Sequence, residues 1–184
     1  MDFELPPKVE DYRVRIRAFV DTHIIPLESD RANYDEHENI RPDVLEKIRA
    51  KVKDAGLWAL QMPEQRGGQG LNVAGMAPCY EEMNRSIFGP VCFNCAAPDD
   101  GNMIVLNKIG TEAQKERWLQ PIIDGKVRSS FAMTEPAPGS GSDPSAMLTT
   151  AVKKGDNWVV NGRKWFITGA GEAQHFILIA RTSD

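Results

Sequence analysis

A segment of small and hydroxyl-bearing residues follows an apolar run in the last third of the chain. It reads Phe-Ala-Met-Thr-Glu-Pro-Ala-Pro-Gly-Ser-Gly-Ser-Asp over residues 131–143. Backbone amides beside Gly139 and Gly141 can form a concave nest for pyrophosphate, with the hydroxyls of Ser140 and Ser142 as further donors. An isolated Gly-x-Gly is more often a connecting loop that binds no ligand, so this segment needs independent support.

A second segment reads Asn-Gly-Arg-Lys-Trp-Phe-Ile-Thr-Gly over residues 161–169. It places two aromatic rings, Trp165 and Phe166, just before the hydroxyl of Thr168. A flat apolar wall with a nearby donor suits a flavin ring, which has a polar edge. Aromatic side chains also dominate ordinary protein cores, so the segment taken alone is better explained as core aromatics with a threonine at the end of a strand.

The hydrophobic pattern predicts that helices fill about the first 125 residues. Each predicted helix has start or stop signals of its own. The first two predicted helices cover 8–24, stopped by Pro26, and Pro42 to Gly56. A third runs through Met76, Tyr80, Met83 and Ile87, with Pro78 in its first turn or at a kink. A fourth is capped by Asp99 or Asp100 and ends at Gly110, and a fifth begins with a Thr111–Gln114 capping box and buries Trp118 and Leu119.

After Gly125 the pattern becomes extended, and Asn161-Gly162 predicts a hairpin turn between two apolar runs. The predicted strands are 131–134, 148–152, 158–160, 165–168 and 176–179. The expected fold class is α+β, with an all-α N-terminal domain over 1–125 and the beginning of an antiparallel β domain over 126–184.

Composition excludes several classes of function. A net charge of -4 and a pI near 5.5 leave no basic excess for nucleic acid. The acidic N-terminus argues against a signal peptide, and the lack of a long apolar run argues against a membrane span. The three unevenly spaced cysteines fit a reducing compartment such as the cytoplasm. Cys92 and Cys95 have C-x-x-C spacing without a second ligand pair, and the three histidines are scattered, so no metal site is predicted.

Taken together, the two segments resemble the acyl-CoA dehydrogenase family, whose signatures read T-E-P-x-x-x-S-D and N-G-x-K-x-W-I-T in this order. The resemblance extends upstream to Pro-Glu and Gly-Gly-Gln-Gly within residues 63–70, to residues 110–115 and to residues 118–121. Residues 94–103 are most similar to the branch related to acyl-CoA dehydrogenase 11. The resemblance therefore covers nearly the whole chain.

The resemblance implies FAD as cofactor, with the strand over 131–134 along the flavin edge. The backbone of Met133 and the hydroxyl of Thr134 would bind the ring, and Thr168 would lie near flavin N5. The loop over 135–143 is two residues longer than the family pattern, so either Ser140 or Ser142 would contact the FAD phosphate. Ser142 could alternatively contact the acyl-CoA. Phe166 stands where the family has tryptophan, with Trp165 just before it. The residues that the resemblance assigns to FAD are Phe131, Met133, Thr134, Ser140, Ser142, Phe166, Ile167 and Thr168.

The implied reaction is α,β-dehydrogenation of an acyl-CoA thioester, a step of fatty acid metabolism, with electron-transfer flavoprotein as acceptor. The family's catalytic glutamate belongs to a C-terminal helical domain, so no catalytic residue is assigned here, and Glu135 is interpreted as structural. The chain is expected to be a fragment, a truncated gene product or one part of a split protein, and to be inactive alone. The full-length form is expected to be a homo-oligomer. The alternative is a non-catalytic acyl-CoA-binding or interaction module derived from the same family.

Overall fold

The computed structural model describes residues 4–139 and 141–183. The chain divides into two compact units, Met1–Gly125 and Lys126–Asp184. The first unit is helical and the second contains short strands, which confirms the α+β fold class.

The helical unit contains eight α-helices in the part of the chain that the structure describes. Their bounds are α1 Pro7–Phe19, α2 Ile25–Glu28, α3 Pro42–Asp54, α4 Val73–Met83, α5 Gly89–Cys92, α6 Asp99–Ile109, α7 Glu112–Gln114 and α8 Gln120–Ile123. Short 3₁₀ turns cover Arg31–Asn33 and Glu64–Arg66. The core of this unit is apolar, and its largest fully buried side chains include Ile16, Leu60, Met83, Phe93, Met103, Leu119 and Ile122.

The prediction that Pro26 stops the first helix is wrong. A π turn over Val20–Ile24 connects α1 to α2, and the Ile25 amide bonds to the Val20 carbonyl. Proline lacks an amide and its ring collides with the carbonyl four residues earlier in an α-helix. A widened turn before the proline gives the ring room, so the helical path continues to Glu28.

The same arrangement recurs before Pro121, where a π turn over Lys115–Leu119 connects α7 to α8. The predicted capping box is present here, with the Thr111 hydroxyl accepting from the Gln114 amide and the Gln114 side chain accepting from the Thr111 amide. Leu119 is buried as predicted, whereas Trp118 remains 36% exposed. The expected burial of Trp118 is therefore wrong.

Three other predicted helix signals have mixed outcomes. Gly56 has a φ of +65° directly after α3, and the Leu57 amide bonds to the Val52 carbonyl, which confirms Gly56 as the residue that ends the helix. Pro78 lies inside α4 rather than in its first turn, because the helix already begins after the Asn72 cap. The cap of α6 is Pro98, with no side-chain hydrogen bond, so neither Asp99 nor Asp100 caps it.

Asp100 instead accepts hydrogen bonds inside the helical unit. The Tyr80 hydroxyl lies 2.7 Å from one carboxylate oxygen and the Gln61 amide 2.7 Å from the other. Burial raises the pKa of Asp100 above its ordinary value of 3.8, although both hydrogen bonds oppose that shift. These contacts connect α4 and α6 to the loop that contains Gln61.

The second unit contains two strand pairs. The strands are β1 Ser129–Ala132, β2 Thr150–Lys154, β3 Asn157–Asn161 and β4 His175–Leu178, and a 3₁₀ turn covers Pro144–Ala146. β2 and β3 form an antiparallel hairpin, whereas β1 and β4 pair in parallel.

The hairpin turn lies at Gly155 and Asp156, since Lys154 pairs with Asn157. Gly155 has a φ of +59°, and glycine in that position is typical of a two-residue hairpin loop. The predicted turn at Asn161-Gly162 is therefore wrong, because Asn161 is the last residue of β3.

No helix among residues 4–139 and 141–183 is both long enough and apolar enough to cross a lipid bilayer.

Candidate functional site

Hydrogen bonds join the two segments that the sequence singled out. The Trp165 amide donates to the Thr134 carbonyl at 3.1 Å, and the Lys164 ammonium donates to the Met133 carbonyl at 2.7 Å. The first segment is the continuation of β1, and the second follows β3. Residues far apart in sequence are thus neighbours in the second unit.

The carboxylate of Glu135 lies at the centre of this arrangement. Glu135 is 3% exposed. It accepts hydrogen bonds from the Leu148 amide at 2.7 Å, the Thr149 amide at 2.8 Å and the Lys164 ammonium at 3.0 Å. Hydrogen bonds from Thr149, from the Leu148 amide and from Lys164 together lower the pKa of Glu135 from 4.5 to about 2.

Two glycines allow the backbone to pack closely around this carboxylate. A Cβ on Gly139 would lie 2.7 Å from both the Cβ and the Oε2 of Glu135. A Cβ on Gly162 would lie 2.2 Å from the Thr149 hydroxyl oxygen. Gly162 therefore serves close packing beside Thr149 rather than a turn.

The aromatic pair of the second segment is exposed. Trp165 and Phe166 lie with ring centroids 4.5 Å apart, and they are 44% and 79% exposed. Phe166 has a φ of +51°, which breaks the extended path, so the predicted strand over 165–168 is wrong. The same backbone conformation leaves a large apolar ring uncovered by the described part of the chain.

The polar end of the second segment is held against β1. The Ser130 hydroxyl donates a 2.8 Å hydrogen bond to the carbonyl of Thr168. Thr168 is exposed and Ile167 half-buried, so the threonine side chain is accessible. On the first segment Phe131, Met133 and Thr134 are all half-buried.

The hydroxyl-rich loop has fewer free donors than its sequence suggested. The Gly139 amide donates within the loop to the Pro136 carbonyl at 2.7 Å, which removes one amide from the expected nest. Gly141 has a φ of +65° and its carbonyl accepts from the Glu135 amide, while the next residue, Ser142, is exposed. Ser140 lies outside the described residues.

These residues fit a bound flavin in their chemistry. The exposed aromatic pair provides apolar ring surface, and Thr168, also exposed, provides a hydroxyl two residues after Phe166. No three His, Cys, Asp or Glu side chains in the described ranges converge as metal ligands.

Lys164 is the residue of this site that the sequence interpretation did not single out. Its side chain is 10% exposed, which is unusual for lysine unless the ammonium is paired. The available signal was its position in the second segment, directly before the aromatic pair. Its two acceptors could not be inferred, because they lie about thirty residues earlier in the chain.

The chain matches two domains of known proteins. Residues 6–126 match the acyl-CoA dehydrogenase N-terminal domain, and residues 130–184 match the acyl-CoA dehydrogenase middle domain. The chain belongs to the acyl-CoA dehydrogenase family. Both candidate segments lie in the part that matches the middle domain of these dehydrogenases.

Curated acyl-CoA dehydrogenases support this assignment. Probable acyl-CoA dehydrogenase FadE2 of Mycobacterium tuberculosis is 40% identical over 97% of this chain and 44% of its own length. Acyl-CoA dehydrogenase family member 11 of Gallus gallus is 39% identical over 89% of this chain and 21% of its own length. The chain thus spans less than half the length of these relatives, and the predicted relationship to family member 11 is confirmed.

Solved acyl-CoA dehydrogenase structures share the fold. A putative acyl-CoA dehydrogenase from Mycobacterium abscessus superposes with a TM-score of 0.85 at 39% identity, covering 96% of this chain and 46% of its own. A glutaryl-CoA dehydrogenase from Mycobacterium smegmatis, solved in complex with FADH2, gives a TM-score of 0.71 at 25% identity, covering 98% and 44%.

Proposed function

We propose that this chain is the N-terminal portion of an FAD-dependent acyl-CoA dehydrogenase and that its second unit binds the flavin. The observation that carries the proposal is the junction of residues 131–134 with residues 164–168 through the Trp165 and Lys164 hydrogen bonds. The related glutaryl-CoA dehydrogenase with FADH2 adds support from a relative.

Each proposed contact follows from the chemistry of the side chain. The rings of Trp165 and Phe166 offer the apolar face for the isoalloxazine, and the hydroxyls of Thr134 and Thr168 bind its polar edge. Phe131, Met133 and Ile167 complete the contacts from the two segments. Ser142, next to a left-handed glycine, is the accessible hydroxyl for the pyrophosphate or the acyl-CoA. When bound, FAD would supply the acceptor for the hydride that leaves the acyl chain.

Glu135 is unsuited to be the base that removes the α-proton. Its carboxylate accepts three hydrogen bonds, and its pKa of about 2 makes it a weak base at neutral pH. A general base works best with a pKa near the operating pH. We therefore place the base in the part of the longer dehydrogenases that this chain does not match, and we propose that the chain alone is inactive.

The remaining assignments rest on family membership. We propose an acyl-CoA as substrate, electron-transfer flavoprotein as electron acceptor, a homo-oligomeric full-length form and a role in fatty acid metabolism. The three buried cysteines are free thiols, which fits a reducing compartment such as the cytoplasm.

A fluorescence and absorbance titration of the chain with FAD tests the proposal. Saturable binding should weaken about tenfold in Thr168→Val, since one hydrogen bond to a bound ring is worth about 1 kcal/mol or more. Thr182→Val removes an exposed threonine of the same unit from outside both segments and is the matched control. Unchanged binding in Thr168→Val, or no saturable binding at all, would contradict the proposed site.

A parallel titration with octanoyl-CoA distinguishes the proposed dehydrogenase portion from the alternative, a non-catalytic acyl-CoA-binding module. FAD binding that is altered by octanoyl-CoA supports the dehydrogenase portion. Octanoyl-CoA binding without any FAD binding would instead favour a flavin-free acyl-CoA-binding module.

A further inference from the structure

The Lys164 side chain links the two proposed flavin segments. Its ammonium lies 2.7 Å from the Met133 carbonyl and 3.0 Å from the Glu135 carboxylate. The side chains of Lys164 and Glu135, taken without their backbones, are 10% and 4% exposed, so the pair is shielded from water. Ion pairs in such surroundings depend strongly on both partners, because removing one leaves a buried charge uncompensated.

Two backbone amides, besides Lys164, hold the carboxylate of Glu135 in place. The amides of Leu148 and Thr149, which precede β2, donate to its two carboxylate oxygens at 2.7 Å and 2.8 Å. The carboxylate therefore has little freedom to follow Lys164 if Lys164 moves. A fixed anion and a fixed carbonyl together define one position for the ammonium.

The position of Lys164 sets the position of the residues after it. Trp165 follows directly, and its amide donates to the Thr134 carbonyl at 3.1 Å. The side chain of Lys164 and the amide of Trp165 thus hold adjacent points of one segment against adjacent carbonyls of the other. Groups that contact a ligand need such support, since a displacement of about 1 Å weakens directed interactions.

We infer that Lys164 and Glu135 are a positioning pair that sets the spacing of the two flavin-binding segments and thereby the affinity and spectrum of the bound flavin. The inference rests on the proposed FAD site. It assigns neither residue a contact with the flavin and neither a step in the chemistry.

The test compares Lys164→Met with the wild-type chain by FAD titration and by the visible spectrum of the bound flavin. Methionine has a similarly unbranched side chain, one heavy atom shorter, and removes the charge and the donors of lysine. We expect FAD affinity to fall at least tenfold and the bound-flavin absorption bands to shift, measured at a temperature where both proteins are folded. Lys154→Met, at an exposed lysine of β2, is the matched control and should match the wild type in both readouts.

A merely structural role would lower the unfolding temperature of Lys164→Met while leaving the FAD affinity and spectrum of the folded protein unchanged, and that result would overturn the inference. If Lys164→Met does not fold, Lys164→Arg retains the charge with a longer planar head. A shifted flavin spectrum in this variant is expected, and a wild-type spectrum with wild-type affinity would overturn the inference.

The two proposals fail in different ways. Absence of FAD binding by the wild-type chain contradicts the proposed function itself. Normal wild-type binding with unchanged binding in the Lys164 variants contradicts only the positioning role.

Discussion

The Trp165 amide donates a hydrogen bond to the Thr134 carbonyl, which connects the exposed aromatic pair to the end of the strand that begins at Ser129. This contact lies two residues beyond Ala132, the last residue of β1. The aromatic pair and the Thr134 hydroxyl therefore belong to one local structure within the second unit. The predictions below follow from this local structure and from the thiols of the first unit.

The first prediction concerns the pH dependence of stability. Because folding lowers the pKa of Glu135 from 4.5 to about 2, its ionised form stabilises the fold. This contribution is complete above pH 4.5, declines as the pH falls, and disappears below about pH 2. The free-energy difference between wild type and Glu135→Gln, measured by urea unfolding with tryptophan fluorescence, should shrink over that range.

Glu172→Gln is the control for this experiment. Its carboxylate is 61% exposed and lies 3.9 Å from Arg128, and exposed ion pairs contribute little. The control should stay close to the wild type throughout. A wild-type to Glu135→Gln difference that stays constant from pH 6 to pH 2 would be incompatible with the account.

The second prediction concerns the close approach of Gly162 to Thr149. A methyl group added at Gly162 would lie 2.2 Å from the Thr149 hydroxyl oxygen. Either Thr149 or the backbone at position 162 would have to move. Overpacking of this kind costs about 1–3 kcal/mol. Gly162→Ala should lower the unfolding free energy by that amount and weaken FAD binding, because Thr149 holds Glu135.

The matched control is Gly171→Ala in the same unit, where nothing lies within 4 Å of the added group. Its unfolding free energy should lie within about 0.5 kcal/mol of the wild type, as for other surface substitutions. Equal effects of the two substitutions in chemical denaturation would argue against the packing explanation.

The third prediction concerns the thiols. Cys79, Cys92 and Cys95 are free and buried, and burial raises the pKa of Cys79 to about 11 and of Cys92 to about 12. Burial also raises the pKa of Cys95 well above 9.0. Since the thiolate is the reactive form, a thiol reagent at pH 7.5 should modify none of the three in the folded chain within minutes.

In urea the same reagent should titrate three thiols per chain. Rapid modification of Cys92 or Cys95 under native conditions would show that the C-x-x-C segment is accessible, contrary to the structure.

The fold class could be predicted from the sequence because helix and strand periodicities are local signals. Gly56 and the Thr111–Gln114 capping box were also predictable, since both depend on residues within one turn. The continuation of the helix past Pro26 could not be predicted, because no single residue specifies the π turn that accommodates the proline.

The hairpin shows how two similar signals can compete. Gly155-Asp156 and Asn161-Gly162 both suit a turn, and the pairing of Ala151 with Val160 selects the first. Gly162 is required for a different reason, namely its approach to Thr149, a residue that is distant in sequence. Such a tertiary contact leaves no local pattern.

Only part of the candidate site could be predicted from the sequence. The resemblance indicated the two segments that we propose to bind flavin, and Glu135 was interpreted as structural. The Lys164 contacts to Met133 and Glu135 depend on how the chain folds between them, so the sequence did not predict the pair.

Hydrogen–deuterium exchange of the chain with and without FAD tests the central claim most directly, because it reports each segment separately. We predict slower amide exchange in both residues 131–134 and residues 164–168 when FAD is bound, with little change in the hairpin over 150–161. FAD-dependent protection confined to the helical unit, or protection of only one of the two segments, would contradict the claim that they form one flavin site.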